Sequence, residues 1–181
     1  TVGHGDGANA GFLRDGSVLV TLLVTDEEDC STLDTDLFAP SGPYAGTGLN
    51  LRCSVHVEAL TRISRYVEGL GSLRSNPADL VFAAFVGVPP RVEESSYADM
   101  LDDPDMDFEI DPAMPSSPLP ACDGGSGAAY PGRRFIEVAR GLDARGSATM
   151  IRSICRVDFN APIEALLNVL APRLRDRRCE G

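Results

Sequence analysis

Four consecutive acidic residues, Asp26-Glu27-Glu28-Asp29, follow directly on nine mostly apolar ones, 17-SVLVTLLVT-25, and lead into Cys30. Carboxylates gathered at the end of a strand suit a hard divalent cation, because Mg²⁺ and Ca²⁺ prefer oxygen ligands. Asp26, Glu28 and Asp29 are the candidate ligands. In open parallel sheets, ligands sit outside the carboxyl ends of the strands, and Asp26 falls there. The same residues are equally suited to a solvated acidic turn or to capping a helix. A second acidic run, 102-DDPDMDFEID-111, puts Asp103, Asp105 and Asp107 at alternate positions. An extended chain would show them on one face, as a loose calcium loop or a mobile, self-repelling one. An EF-hand is excluded. Counting from Asp103, Phe108 stands where Gly is required and Met114 where Glu is required.

Covalent and acid–base chemistry find less support. His4 and His56 have no Ser or Cys partner in a recognisable motif, and GxSxG is absent. Thr1 lacks a supporting base for a nucleophilic role. The segment 123-DGGSGAAYPGRR-134 precedes a helix as a phosphate loop would, yet it lacks GxxxxGK[ST] and follows a long insert rather than a strand. A hydrolase that holds catalytic Mg²⁺ on Asp26 is a further reading. Such sites use DxD spacing, where this chain has DEED. These features point to a chain that binds rather than catalyses.

Cys30, Cys53, Cys122, Cys155 and Cys179 form no CxxC, which rules out zinc-ribbon and thioredoxin-type readings. Cys30 and Cys53 bracket a polar, Gly-rich stretch, and Cys122 ends another. Cysteines flanking loops predict disulfide staples and an oxidising compartment, with Cys179 as the odd one out. The formal net charge of −11 argues against a nucleic-acid partner, since phosphate binding needs basic patches. No apolar run is long enough to span a membrane. A hydrophobic content of 43% over 181 residues is enough for the core of one domain.

Residues 17–25 and 80-LVFAAFVG-87 read as strands buried on both faces, and 148-ATMIRSIC-155 as a third, weaker one. Helices are predicted over about 56–71 (Leu60, Ile63, Val67 and Leu70 on one face), 131–143 (Pro131 in the first turn) and 160–171. In the last, Asn160 is the expected N-cap, Ile163, Leu166, Leu167 and Leu170 point inward, and Pro172 ends the helix. Alternating strands and helices imply an α/β, Rossmann-like, mostly parallel sheet with helices on both faces. Two long insertions interrupt it: a cysteine-bracketed one at 30–54 and an acidic, Pro-rich one at 91–128, far above the usual connection length. Three strands make a thin sheet. A first strand buried on both faces needs neighbours on each side, so the expectation is the second half of a larger domain.

The run LLVTDEEDCS resembles the fourth-strand signature of von Willebrand factor A (VWA) domains, in the variant found in secreted bacterial envelope proteins. NAGFLRDGSVL before it, the RC at 52–53, YVEGL…ADLVFAAFVGVPPR and PGRRFIEVARGL…ATMIRSICRVDF are similar to that group in order and spacing, over about residues 9–171. The resemblance implies a six-stranded, mainly parallel sheet with a metal-ion-dependent adhesion site built from a DxSxS motif, a threonine and an aspartate after the fourth strand. Only the aspartate has a counterpart here, Asp26, so the resemblance implies the C-terminal half of such a domain or a single domain with an incomplete site. It also implies Cys30–Cys53 and Cys122–Cys155 bridges. The expected function is a non-catalytic, adhesion-type binding module dependent on a divalent cation, Mg²⁺ or Ca²⁺. It would recognise a protein or surface ligand, or the missing N-terminal half, in a secreted, periplasmic or outer-envelope setting. The alternative is a structural component of an envelope assembly that uses no metal.

Overall fold

Leu80–Val86 is apolar at all positions and buried at all of them, as befits the middle of a parallel sheet. In the computed structural model, which describes residues 7–124 and 127–175, this strand (β2) lies between β1 (Leu19–Val24) and β5 (Ala148–Ser153). Both pairings are parallel, with Val20 opposite Val81 and Phe82 opposite Thr149. A short antiparallel hairpin, β3 (Cys122–Gly124) and β4 (Gly127–Ala129), stands apart. Among the described residues there are five α-helical segments: α1 (Arg52–Val55), α2 (Ile63–Gly71), α3 (Tyr97–Leu101), α4 (Arg133–Asp143) and α5 (Asn160–Arg175). Thr1, His4 and Cys179 lie outside the described residues.

Alternation along β2 distributes the core between two faces. Leu80, Phe82, Ala84 and Val86 pack with Val67 of α2, Met100 and Leu101 of α3, and Ile136, Ala139 and Leu142 of α4. Val81, Ala83 and Phe85 pack with Leu166, Val169 and Leu170 of α5, and Phe85 stacks on Phe159 at 6.1 Å between ring centroids. The result is a mixed α/β fold, a three-stranded parallel sheet flanked by helices. Close approaches need glycine: a Cβ on Gly141 would lie 2.6 Å from Val67 Cγ2, and one on Gly87 would lie 1.9 Å from the Tyr130 carbonyl oxygen.

Several expected elements differ. The first strand is not buried on both faces: β1 is a sheet edge among the described residues, and its exposure alternates. The first long helix begins only at Ile63. The Thr61 N–H donates to Ser31 O and Leu60 bridges Thr32, so the backbone ahead of α2 is already committed to the first insert. Pro131 sits outside the first turn of α4, because its backbone bridges Gly87 just past the end of β2. At the start of α5 the capping oxygen is Asp158 Oδ1, which accepts from Asn160 N. Helix α5 passes through Pro172 to Arg175, the last described residue. The proline forfeits only the bond to the carbonyl of Asn168, on an exposed turn. Leu166 and Leu170 face the sheet, whereas Ile163 and Leu167 are exposed.

Both inserts are built rather than loose. Cys30 and Cys53 are bonded across the first, with Cα atoms 5.4 Å apart. Inside it the buried Arg52 donates to the carbonyls of Leu37, Ala39 and Thr47 at 2.7–2.9 Å. In the second insert, Met100, Leu101 and Met106 enter the core. Cys122 is bonded to Cys155, Cα atoms 6.0 Å apart, which fastens the hairpin to the end of β5. Two disulfides accord with an oxidising compartment outside the cytoplasm. No described helix is long and apolar enough to cross a membrane.

Candidate functional site

The turn after β1 delivers its carboxylates to the start of α4. Glu28 Oε1 accepts from Asp29 N at 2.8 Å, and Oε2 accepts from Arg134 N at 3.0 Å. The first N–H groups of a helix have no partner within it, and a carboxylate there also meets the positive end of the helix dipole. Glu28 therefore caps α4 from a strand turn more than a hundred residues earlier. Asp29 completes the joint: Oδ2 accepts from Arg134 Nε at 3.0 Å, and Oδ1 accepts from the Ser31 amide and hydroxyl. A further Arg134 nitrogen donates to the Thr61 carbonyl. Arg134 thus ties β1, the segment before α2 and α4 at one point.

Burial pushes the Glu28 carboxyl up to about 7, against the two backbone N–H groups and the Arg134 charge, which lower it. Glu27 is also raised, first by burial and then by Asp26. Asp26 itself is exposed at the end of β1, and its carbonyl accepts from Tyr130 N at 2.8 Å. A groove of about 460 Å³ opens beside Glu28, lined also by Tyr130, Arg133, Arg134 and Glu137.

The second acidic run is served by different arginines. Arg91 pairs with Asp103 at 2.6 Å and with Asp105 at 2.8 Å, and Arg133 lies 3.6 Å from Asp107. Asp103, which is buried, accepts from Asp105 N at the head of a short 3-10 turn, Pro104–Met106. The expected extended, self-repelling alternation is replaced by a turn whose charge is neutralised locally.

As arranged, most of these carboxylates already have protein partners. Glu28 and Asp29 are engaged by N–H donors and a guanidinium, which leaves Asp26 and Glu27 as the exposed carboxylates of the run. Among the described residues, no group of three or more His, Cys, Asp or Glu side chains is placed to hold a metal ion. His56 contacts Thr47 Oγ1 at 2.9 Å and packs edge-on against Tyr44. Sequence reasoning missed Arg134, Arg52 and Glu93. The last is buried, accepts from Ser153 N at 2.7 Å and pairs with Arg156. Only the Asp-Pro step at 103–104 carried a local signal, that of a helix start with Pro in first position. No family model, curated protein or solved structure matches the chain.

Calorimetric titration with calcium or magnesium is expected to give no saturable heat. Saturable heat that Asp26→Ala removes would instead establish a cation site on this chain.

Proposed function

We propose that this protein is a structural component of an extracytoplasmic, envelope-type assembly, acting by protein contact without a bound metal ion. The observation that carries this reading is the uncovered flank of β1. Its sequence, LVTLLV, is that of an interior strand, yet among the described residues it pairs on one side only, and Val20, Leu22 and Val24 stand 39% to 61% exposed. Long apolar edges are ordinarily covered or blunted, because they invite pairing and aggregation. A partner that covers this one would convert the three-stranded sheet into the interior of a wider one. The two disulfides suit an assembly outside the cytoplasm.

The VWA-like, Rossmann-like resemblance belongs to this reading. Strand–helix alternation, a parallel sheet and Asp26 at its carboxyl edge accord with it, and the partner could be the N-terminal half of such a domain. A cation-dependent adhesion module would need the partner to supply the remaining ligands around Asp26. Size-exclusion chromatography with light scattering, on tagged protein extracted from its native source, separates these readings. Wild-type protein is expected in a species larger than the mass of its own polypeptide on a denaturing gel, unchanged by chelator and lost on Leu22→Arg. Elution at the mass of the lone chain, or loss in chelator, overturns the proposal.

A further inference from the structure

Helix α5 carries two apolar stripes, and the sheet uses only one. Pro162, Leu166, Val169 and Leu170 turn toward β2 and β5. Ile163, Leu167 and Leu174 do not: they are 41% to 56% exposed. At about 100° per residue, Ile163, Leu167, Leu170 and Leu174 fall within about 60° of arc. Their 4-3-4 spacing is that of the seam by which one helix packs along another.

The position of this stripe follows from what lies opposite. Ala165, Asn168 and Val169 line a groove with Met150 and Arg152 of β5, so the other flank of α5 looks toward β1. Val20, Leu22 and Val24 share the α5 face of the sheet, since they stand in register with Val81, Ala83 and Phe85. The molecule therefore presents a trough with an apolar floor from β1 and an apolar wall from α5. The six residues of β1 span roughly 20 Å. The stripe from Ile163 to Leu174 spans roughly 16 Å.

We infer that this trough seats an amphipathic helix of about 12 residues from a partner polypeptide, lying beside α5 and on β1. This deepens the structural reading above and rests on it. The seam-like stripe on α5 calls for a helix, and a helix seated on this face leaves the free edge of β1 open to the strand pairing described above. A second copy of this chain is disfavoured by chemistry. The free back of α5 carries Asn160, Glu164 and Asn168, all exposed, and would lay amides and a carboxylate on an apolar floor. The ends of the trough differ in charge: Asp26 and Glu27 follow β1 at one end, and Arg173 and Arg175 close α5 at the other. The partner helix accordingly brings its N-terminus and basic side chains to the acidic end.

The test places a photo-crosslinking residue at Leu22, Leu167 or Leu174 of the full chain in its native source and maps the partner positions captured. The expected result is one partner segment, captured at positions three, four or seven apart. Adding Leu167→Asp, an exposed change that spares the core, should cut capture from position 22 about tenfold or more. Captured positions two apart would mean strand addition, and peptides of this chain's own sequence a second copy. Either result, or no capture at all, overturns the inference. Should capture fail while the large species sensitive to Leu22→Arg persists, the structural reading stands and only the helix falls. Absence of any such species removes both.

Discussion

Replacing Glu93 with alanine is expected to destabilise the fold by about 3 kcal/mol, the low end of the range found when one member of a buried ion pair is removed, because its partner Arg156 is 35% exposed. Glu93 is 1% exposed. Its Oε2 accepts from Ser153 N at 2.7 Å, its Oε1 pairs with Arg156, and its carbonyl accepts from Arg152 Nη1 at 3.3 Å. The residue thus joins the start of the second insert to the carboxyl end of β5, beside the Cys122–Cys155 bridge. Alanine removes the acceptor and leaves a buried backbone N–H and a guanidinium, whose Nε already lacks a partner, with nothing to face. For a chain of this length the loss corresponds to a fall in Tm of roughly 10 °C. Glu93→Gln keeps an acceptor for Ser153 N but turns an NH2 toward the Arg156 guanidinium in place of the accepting oxygen, so it should fall between wild type and alanine. Urea unfolding of the three proteins checks the order. If both variants stay within about 1 kcal/mol of wild type, the buried carboxylate does not hold the insert.

What could be read from the sequence was local, and what was missed was long-range. An unbroken apolar run such as LVFAAFV can hardly be other than an interior strand, and β2 is one. The run in β1 looked the same, but periodicity reports what a strand is suited to, not which neighbours it has. Helix α5 misled differently. Its leucines supply two stripes, and nothing local says which one meets the sheet. The acidic run at 26–29 was visible as chemistry, but its partner, Arg134, lies on another element. An arginine in a sequence gives no sign of the carboxylate it will meet. Glu93 and Arg156 were hidden for the same reason. The run at 103–107 read as repulsive because counting charges along an extended chain ignores Arg91 and the turn that Asp103 caps.

Stability should fall as pH rises from about 5 to 8, and Glu28→Gln should flatten that dependence. Burial raises the Glu28 carboxyl to about 7 from an ordinary value of 4.5, so the folded state binds this proton more tightly than the unfolded chain does. The favourable contribution is therefore complete below about 4.5 and is lost as pH climbs through about 7. A shift of this size corresponds to a change on the order of 3 kcal/mol across the window, all from one side chain. Glutamine cannot ionise and still offers an oxygen to Arg134 N, so the cap on α4 survives without the titration. Urea midpoints at pH 5, 6, 7 and 8 for both proteins give the comparison. Two parallel pH profiles would show that Glu28 is ionised throughout and acts as an ordinary charged cap. Profiles that coincide near pH 5 and diverge as pH rises through about 7 would place the titration at the joint between β1 and α4. That joint lies at one end of β1, the strand whose uncovered face floors the trough, so a looser cap would act first on the edge offered to the partner.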